Sequence, residues 1–178
     1  MAINIDRISR DIEKINTYNA TPGQGITRLT FSPEYQGALN YVVDQFNQFG
    51  AAVSICPGGN VRGRFCGSDE NAPAVMMGSH LDSVVNGGPF DGVVGVVTAL
   101  EAARSMVEND IRHRLPVDVV IFAEEEGSRF SRGLLGSSLW TGRLEMDQLN
   151  SIVDGNGITY SAAMARAGLR VTENRTLR

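Results

Sequence analysis

The chain has 178 residues, 42% of them hydrophobic, with 16 basic against 20 acidic side chains and a net charge of −4. That suffices for one folded domain with a core, and the absence of a Lys/Arg cluster argues against a nucleic-acid partner. No apolar run approaches the ~20 residues that span a bilayer, and the first ten residues lack the apolar centre of a secretion signal, so a cytoplasmic protein without a membrane partner is expected.

Ile5, Ile8, Ile12 and Ile15 recur at three- and four-residue spacing and predict an amphipathic helix over 3–17, with Asp6, Arg7, Arg10 and Lys14 outside. Residues 19–31, rich in Gly, Thr and Pro, read as a loop. Ser32 then caps a helix with Pro33 in its first turn. Ala38, Leu39, Val42, Val43 and Phe46 form its buried face, and Gly50 ends it. Val53–Ile55 and Val61–Phe65 read as strands joined by a Pro57-Gly58-Gly59-Asn60 turn. In that hairpin Cys56 pairs with Val61 and Cys66 faces Ala51, out of register for a crosslink. Two cysteines are also too few for a disulfide framework, and no CxxC or neighbouring histidine completes a thiolate metal site.

Further on, Ala74–Met77 is a short apolar strand leading to His80. Val93, Val96, Val97, Leu100, Ala103 and Val107 keep a helical period over 92–109, which places Asp91 at a helix start. Val117–Ala123 is nearly all apolar, as befits a central strand covered on both faces. Residues 144–153 and 159–167 suggest two more helices, the second stopped by Gly168. Residues 169–178 carry no terminating element and read as a chain cut short. The alternation of strands and helices argues for an α/β sandwich with a mixed, mostly parallel sheet.

Three polar patches follow these apolar runs: Gly78-Ser79-His80-Leu81-Asp82-Ser83, Gly87-Gly88-Pro89-Phe90-Asp91-Gly92, and Glu124-Glu125-Glu126-Gly127-Ser128-Arg129-Phe130. Open α/β sheets gather ligands at the carboxyl ends of their strands, so the patches meet if the strands before His80 and Glu124 are neighbours. A two-metal hydrolase needs imidazole and carboxylate on its ions, one carboxylate bridging, and a water between metals ~3.5 to 4 Å apart. His80, Asp91 and Glu126 supply that chemistry. Asp82 is placed to accept the other ring N–H of His80 and fix its tautomer, and Glu125 to take a proton from the water.

Each patch has a plainer alternative: a hydrogen-bonded histidine, a helix-capping Asp91, a solvated run of glutamates at a helix start. Their co-occurrence at strand ends favours the metal reading. His113, by the same geometry, lies at the amino end of its strand and reads as a surface residue. Ser79, Ser83, Ser137 and Ser138 have no histidine and acid arranged around them, and neither a nucleophile elbow nor a phosphate-binding glycine loop occurs.

At these residues the sequence resembles the amidohydrolase branch of the aminoacylase and carboxypeptidase superfamily, which contains N-carbamoyl-L-amino-acid hydrolases, allantoate amidohydrolases and β-ureidopropionases. The three patches resemble the family's metal-site signatures. Supporting similarity runs from Gly25-Ile26-Thr27-Arg28 through Gly59-Asn60 to Gly136-Ser137 and Asp154-Gly155. The resemblance implies a three-layer, dizinc-exopeptidase-like catalytic domain. It also implies His80 on one metal, Asp91 bridging, Glu126 on the second, Glu125 as general acid/base and Asp82 behind His80. Two divalent ions are implied, zinc foremost, with manganese or cobalt also compatible, and a small ureido or amide substrate.

Family members carry two further histidine ligands and an inserted dimerisation domain that are not found in these 178 residues. The expectation is therefore the N-terminal part of a catalytic domain, prone to self-association, whose full-length relatives are homodimers. Three functions stand open: a carbamoyl- or allantoate-cleaving hydrolase, an aminoacylase or aminopeptidase of the same superfamily, and a non-catalytic remnant.

Overall fold

The apolar spacing near the amino terminus folds into α1 (Ile5–Asn16), whose first turn is capped by Asn4 accepting the Arg7 N–H at 2.9 Å. Helix α2 (Pro33–Gln48) starts as its sequence predicts, with Pro33 at the first position and the Ser32 hydroxyl accepting the Tyr35 N–H. The computed structural model describes residues 3–172. It continues through β1 (Ala52–Ile55), a 3-10 turn at Pro57–Gly59, β2 (Val61–Phe65), β3 (Val75–His80), α3 (Val93–Glu108), β4 (Val117–Phe122), α4 (Leu135–Trp140), a second 3-10 turn at Met146–Asn150, and α5 (Tyr160–Arg166).

The four strands form one sheet in the order β1-β2-β4-β3. It is mixed, as expected, but one pair alone is parallel: β3 runs alongside β4, from Val75 opposite Val117 to His80 opposite Phe122, while β1–β2 and β2–β4 are antiparallel. Connection length explains the difference. A short turn between β1 and β2 allows only antiparallel pairing, whereas the α3 crossover from β3 to β4 is long enough for a parallel one.

Alternation along β4 splits the core. Val117, Val119 and Ile121 face the large cluster built with α1, α2 and α3, while Val120 meets Cys56 and Trp140 on the other side. Helices therefore cover both faces, unequally, since the second layer near the sheet is mainly α4 at the carboxyl end of β4. Gly78 lets β3 approach β4 closely, because a Cβ there would lie 2.0 Å from the Val120 carbonyl oxygen. Between the helices, Arg104 is tied to Asp11 and Gln45, and the Tyr41 hydroxyl donates to Asp11 at 2.5 Å.

Four further expectations are revised. Cys56 sits opposite Asn60, not Val61: its N–H donates to the Asn60 carbonyl at 2.8 Å, and Ile55 pairs with Val61. The cause is the 3-10 turn, with Gly58 and Gly59 both at positive φ, which shifts the register by one. Neither Cys56 nor Cys66 is in a disulfide. The strand before His80 extends to His80 itself. The helix expected over 144–153 shrinks to a 3-10 turn, and α4 was not expected. Of the last ten residues, 173–178 lie outside the described residues. Among those described, no helix is long and apolar enough to cross a membrane.

Candidate metal centre

His80 closes β3 with its ring almost buried. Its Nδ1 lies 2.9 Å from the Asp82 main-chain oxygen, so in the neutral ring the proton belongs on Nδ1 and the Nε2 lone pair is left free, the form a metal ligand needs. That nitrogen faces acids: Asp91 Oδ1 stands 3.7 Å away and Glu125 Oε2 3.5 Å.

Asp91 arrives on the loop ahead of α3. The loop is pinned to residues 26–27 by a two-way main-chain bridge between Ile26 and Gly87 and by the Asn86 N–H on the Thr27 hydroxyl at 2.8 Å. Gly92, at φ 67°, turns the chain into the helix and leaves room for the His80 ring.

The glutamates follow β4. Glu124 takes a left-handed φ of 52° and is itself buried, with Oε1 accepting the N–H groups of Arg129 (3.0 Å) and Phe130 (2.8 Å). It thus folds the loop back on itself. Glu125 and Glu126 are left at the loop's open side, and the Glu126 N–H donates to Asp82 Oδ2 at 3.0 Å.

His80, Asp91 and Glu126 each offer one ligand atom, and the three atoms lie within 4.8 Å of one another. One imidazole and two carboxylates are a donor set suited to a divalent cation. The electrostatics fit as well, since Asp82, Asp91, Glu125 and Glu126 crowd negative charge into a partly buried space that a cation would neutralise. Burial pushes the Asp82 carboxyl up to about 7, against the Glu126 N–H and the nearby His80, which lower it. Burial raises Glu126 too, helped by the charges of Asp91 and Glu125 and opposed by His80.

All five residues singled out in the sequence meet here. The detail differs for Asp82: its main-chain oxygen, not its carboxylate, makes the hydrogen bond to His80, with carboxylate Oδ1 3.8 Å from Nδ1. The carboxylate instead holds the Glu126 loop. His113 is half-buried at the amino end of β4, its Nδ1 2.7 Å from the Leu115 carbonyl.

Three supporting residues were not picked out as such. Glu124 is one. Arg28, 1% exposed, donates to the carbonyls of Leu81 (2.6 Å), Ile15 and Tyr18 (both 3.0 Å), so it braces the turn after His80. Burial brings its guanidinium down to about 10, still charged at neutral pH. Asn60 donates to the Pro57 and Gly136 carbonyls and accepts the Ala123 N–H, fixing the end of β4. The last two lie in stretches already marked by the resemblance, which was the available signal.

Residues 60–165, which span the whole cluster, match the family model for Peptidase family M28. An N-carbamoyl-L-amino-acid amidohydrolase of Paenarthrobacter aurescens is 40% identical over 94% of this chain and 40% of its own length. An allantoate amidohydrolase of Bacillus subtilis is 32% identical over 88% of this chain and 38% of its own. A hydantoinase/carbamoylase family amidase from Burkholderia ambifaria superposes with a TM-score of 0.92 at 34% identity, covering 98% of this chain and 42% of that one. The chain thus spans about two fifths of the length of the curated relatives it matches. It belongs to peptidase family M28, and over nearly its whole length it is similar to amidases of the hydantoinase/carbamoylase type.

Proposed function

We propose that this chain carries the metal-ligand loops of an amidohydrolase that cleaves the C–N bond of an N-carbamoyl amino acid or of allantoate. The convergence of His80, Asp91 and Glu126 within 4.8 Å, with Glu125 beside them, is the observation that carries the reading. These three residues would hold a divalent cation, zinc fitting the imidazole and carboxylate donors and manganese or cobalt also suiting them. When bound, such an ion polarises the substrate carbonyl and makes water acidic enough to attack at neutral pH.

The chain's own residues do the rest. His80 keeps its proton on Nδ1 against the Asp82 carbonyl and presents Nε2. Asp91 would hold the ion from the loop ahead of α3, beside His80 Nε2, and is the carboxylate that would be shared with a second ion. Glu125 takes the proton of the attacking water and returns it to the leaving nitrogen as the C–O bond forms and the C–N bond breaks. Asp82 keeps Glu126 in place through its N–H. The 178 residues are read as the N-terminal part of the catalytic domain. Three protein ligands give this chain alone weak binding of one ion.

A second reading, hydrolysis of peptide or acyl amides, is favoured by the peptidase character of the matching family model. An assay with zinc supplied separates the two by comparing ammonia release from N-carbamoyl amino acids and allantoate with amine release from acyl amino acids. Ammonia release that falls about a hundredfold or more in Glu125→Gln is expected. Faster amine release, or a Glu125→Gln variant as active as the wild type, would contradict the proposal.

A further inference from the structure

Arg28 takes hold of both chain neighbours of Asp82. Its side-chain Nε donates to the Leu81 carbonyl at 2.6 Å, and its main chain makes a two-way contact with Ser83: the Arg28 N–H donates to the Ser83 hydroxyl at 3.0 Å, and the Ser83 N–H to the Arg28 carbonyl at 3.1 Å. Asp82, enclosed between them, presents its main-chain oxygen to His80 Nδ1 at 2.9 Å and its carboxylate to the Glu126 N–H at 3.0 Å. Arg28, Leu81, Asp82 and Ser83 are all buried.

The far end of the guanidinium is anchored on α1. Nη1 donates to the Ile15 and Tyr18 carbonyls, both at 3.0 Å, where a cation also meets the negative end of the helix dipole. The same end of α1 is tied to the Asp91 loop, since the Asn16 amide donates to the Pro89 carbonyl at 2.7 Å. At its start, α1 is fastened to α3 by Arg7 on the buried Glu101 at 2.6 Å. One helix end is therefore a common reference for the turn behind His80 and for the loop that brings Asp91, and it sets these two so that Nε2 and Oδ1 stand 3.7 Å apart. An arginine suits the place because Nε and Nη1 donate in different directions from one rigid plane, whereas the hydrogens of a lysine sit on a single nitrogen.

We propose that Arg28 is a positioning residue for the metal centre: by clamping Leu81 and Ser83 it aims the Asp82 carbonyl at His80 Nδ1, and so holds the imidazole in the tautomer that leaves Nε2 free for an ion. This role rests on His80 being a ligand, as proposed above, but it is tested on the metal-free protein, so that the clamp and the binding of an ion can fail separately.

The chain has two histidines, and NMR of their ring nitrogens, at a pH where both rings are neutral, reads the tautomer of each. In the unaltered protein His80 should carry its proton on Nδ1. In Arg28→Met the ratio of the Nδ1–H to the Nε2–H form of His80 should fall by about tenfold, the weight of one hydrogen bond. His113, whose Nδ1 meets the Leu115 carbonyl at the amino end of β4, should not change. Arg28→Lys, which keeps the charge but not the fork, should shift His80 in the same direction. An unchanged His80 in either folded variant, an equal change at His113, or a proton on Nε2 in the unaltered protein would overturn the proposal. Should neither variant fold, the unaltered protein decides: the Nε hydrogen of Arg28 should exchange with solvent at least about tenfold more slowly than that of the exposed Arg132, and equal rates would overturn the clamp.

Discussion

Gly92 stands directly against the imidazole: a Cβ there would lie 2.6 Å from His80 Cε1 and Nδ1, in a backbone conformation of φ 67° that L side chains avoid. Gly92→Ala must therefore push the ring away from the acids or strain the start of α3. Zinc affinity, read by competition with a chromophoric chelator, should fall by about tenfold or more, the scale seen when a ligand's orientation is disturbed. Unchanged affinity would mean that the ring position does not matter. At this scale the candidate ligands His80, Asp91 and Glu126, and Glu125 beside them, were legible, because they are polar residues stranded after apolar runs. Their supports were not. Glu124 sits in a row of three glutamates that looks uniformly solvated, and only the fold shows that its left-handed backbone turns it inward while its neighbours face the cluster. The split role of Asp82, carbonyl to His80 and carboxylate to Glu126, depends on a turn geometry that spacing does not reveal.

Among the elements, the end of β4 depends on Asn60, which lies 63 residues from Ala123 and 76 from Gly136 in the chain. One amide side chain serves three main-chain groups, so Asn60→Ala leaves two carbonyls and an N–H of a buried junction without their partner. Urea denaturation should show a loss of about 2–4 kcal/mol, and a loss under about 0.5 kcal/mol would show that the junction is held by other contacts. The long periodic elements α1, α2, α3 and β4 were readable from residue spacing, because each buries one stripe or both faces. What escaped was short or register-dependent. Six residues at Leu135–Trp140 hold too few turns for a period to show, and the 3-10 turn at Pro57–Gly59 moves Cys56 by one position against its partner strand.

Among the described residues, the sheet ends at β3, whose outer edge has no strand beside it. Next to that edge Val75, Met77, Ala102, Met106, Leu115 and Val117 line an apolar groove of about 370 Å³, and Val75 is 48% exposed. An uncovered apolar edge favours association between copies. Sedimentation velocity should show concentration-dependent self-association that Val75→Lys reduces, and a wild-type monomer at every concentration would contradict this. The α/β class and the mixed sheet were foreseeable from alternating strands and helices, but the share of parallel pairs was not, since it is set by connection lengths that sequence pattern underdetermines. Calorimetric titration of the chain and of His80→Ala with zinc shows whether three segments distant in the chain fold into one cation site. The prediction is one ion bound per wild-type chain and no measurable binding in His80→Ala, whereas a variant that binds zinc as tightly as the wild type would contradict it.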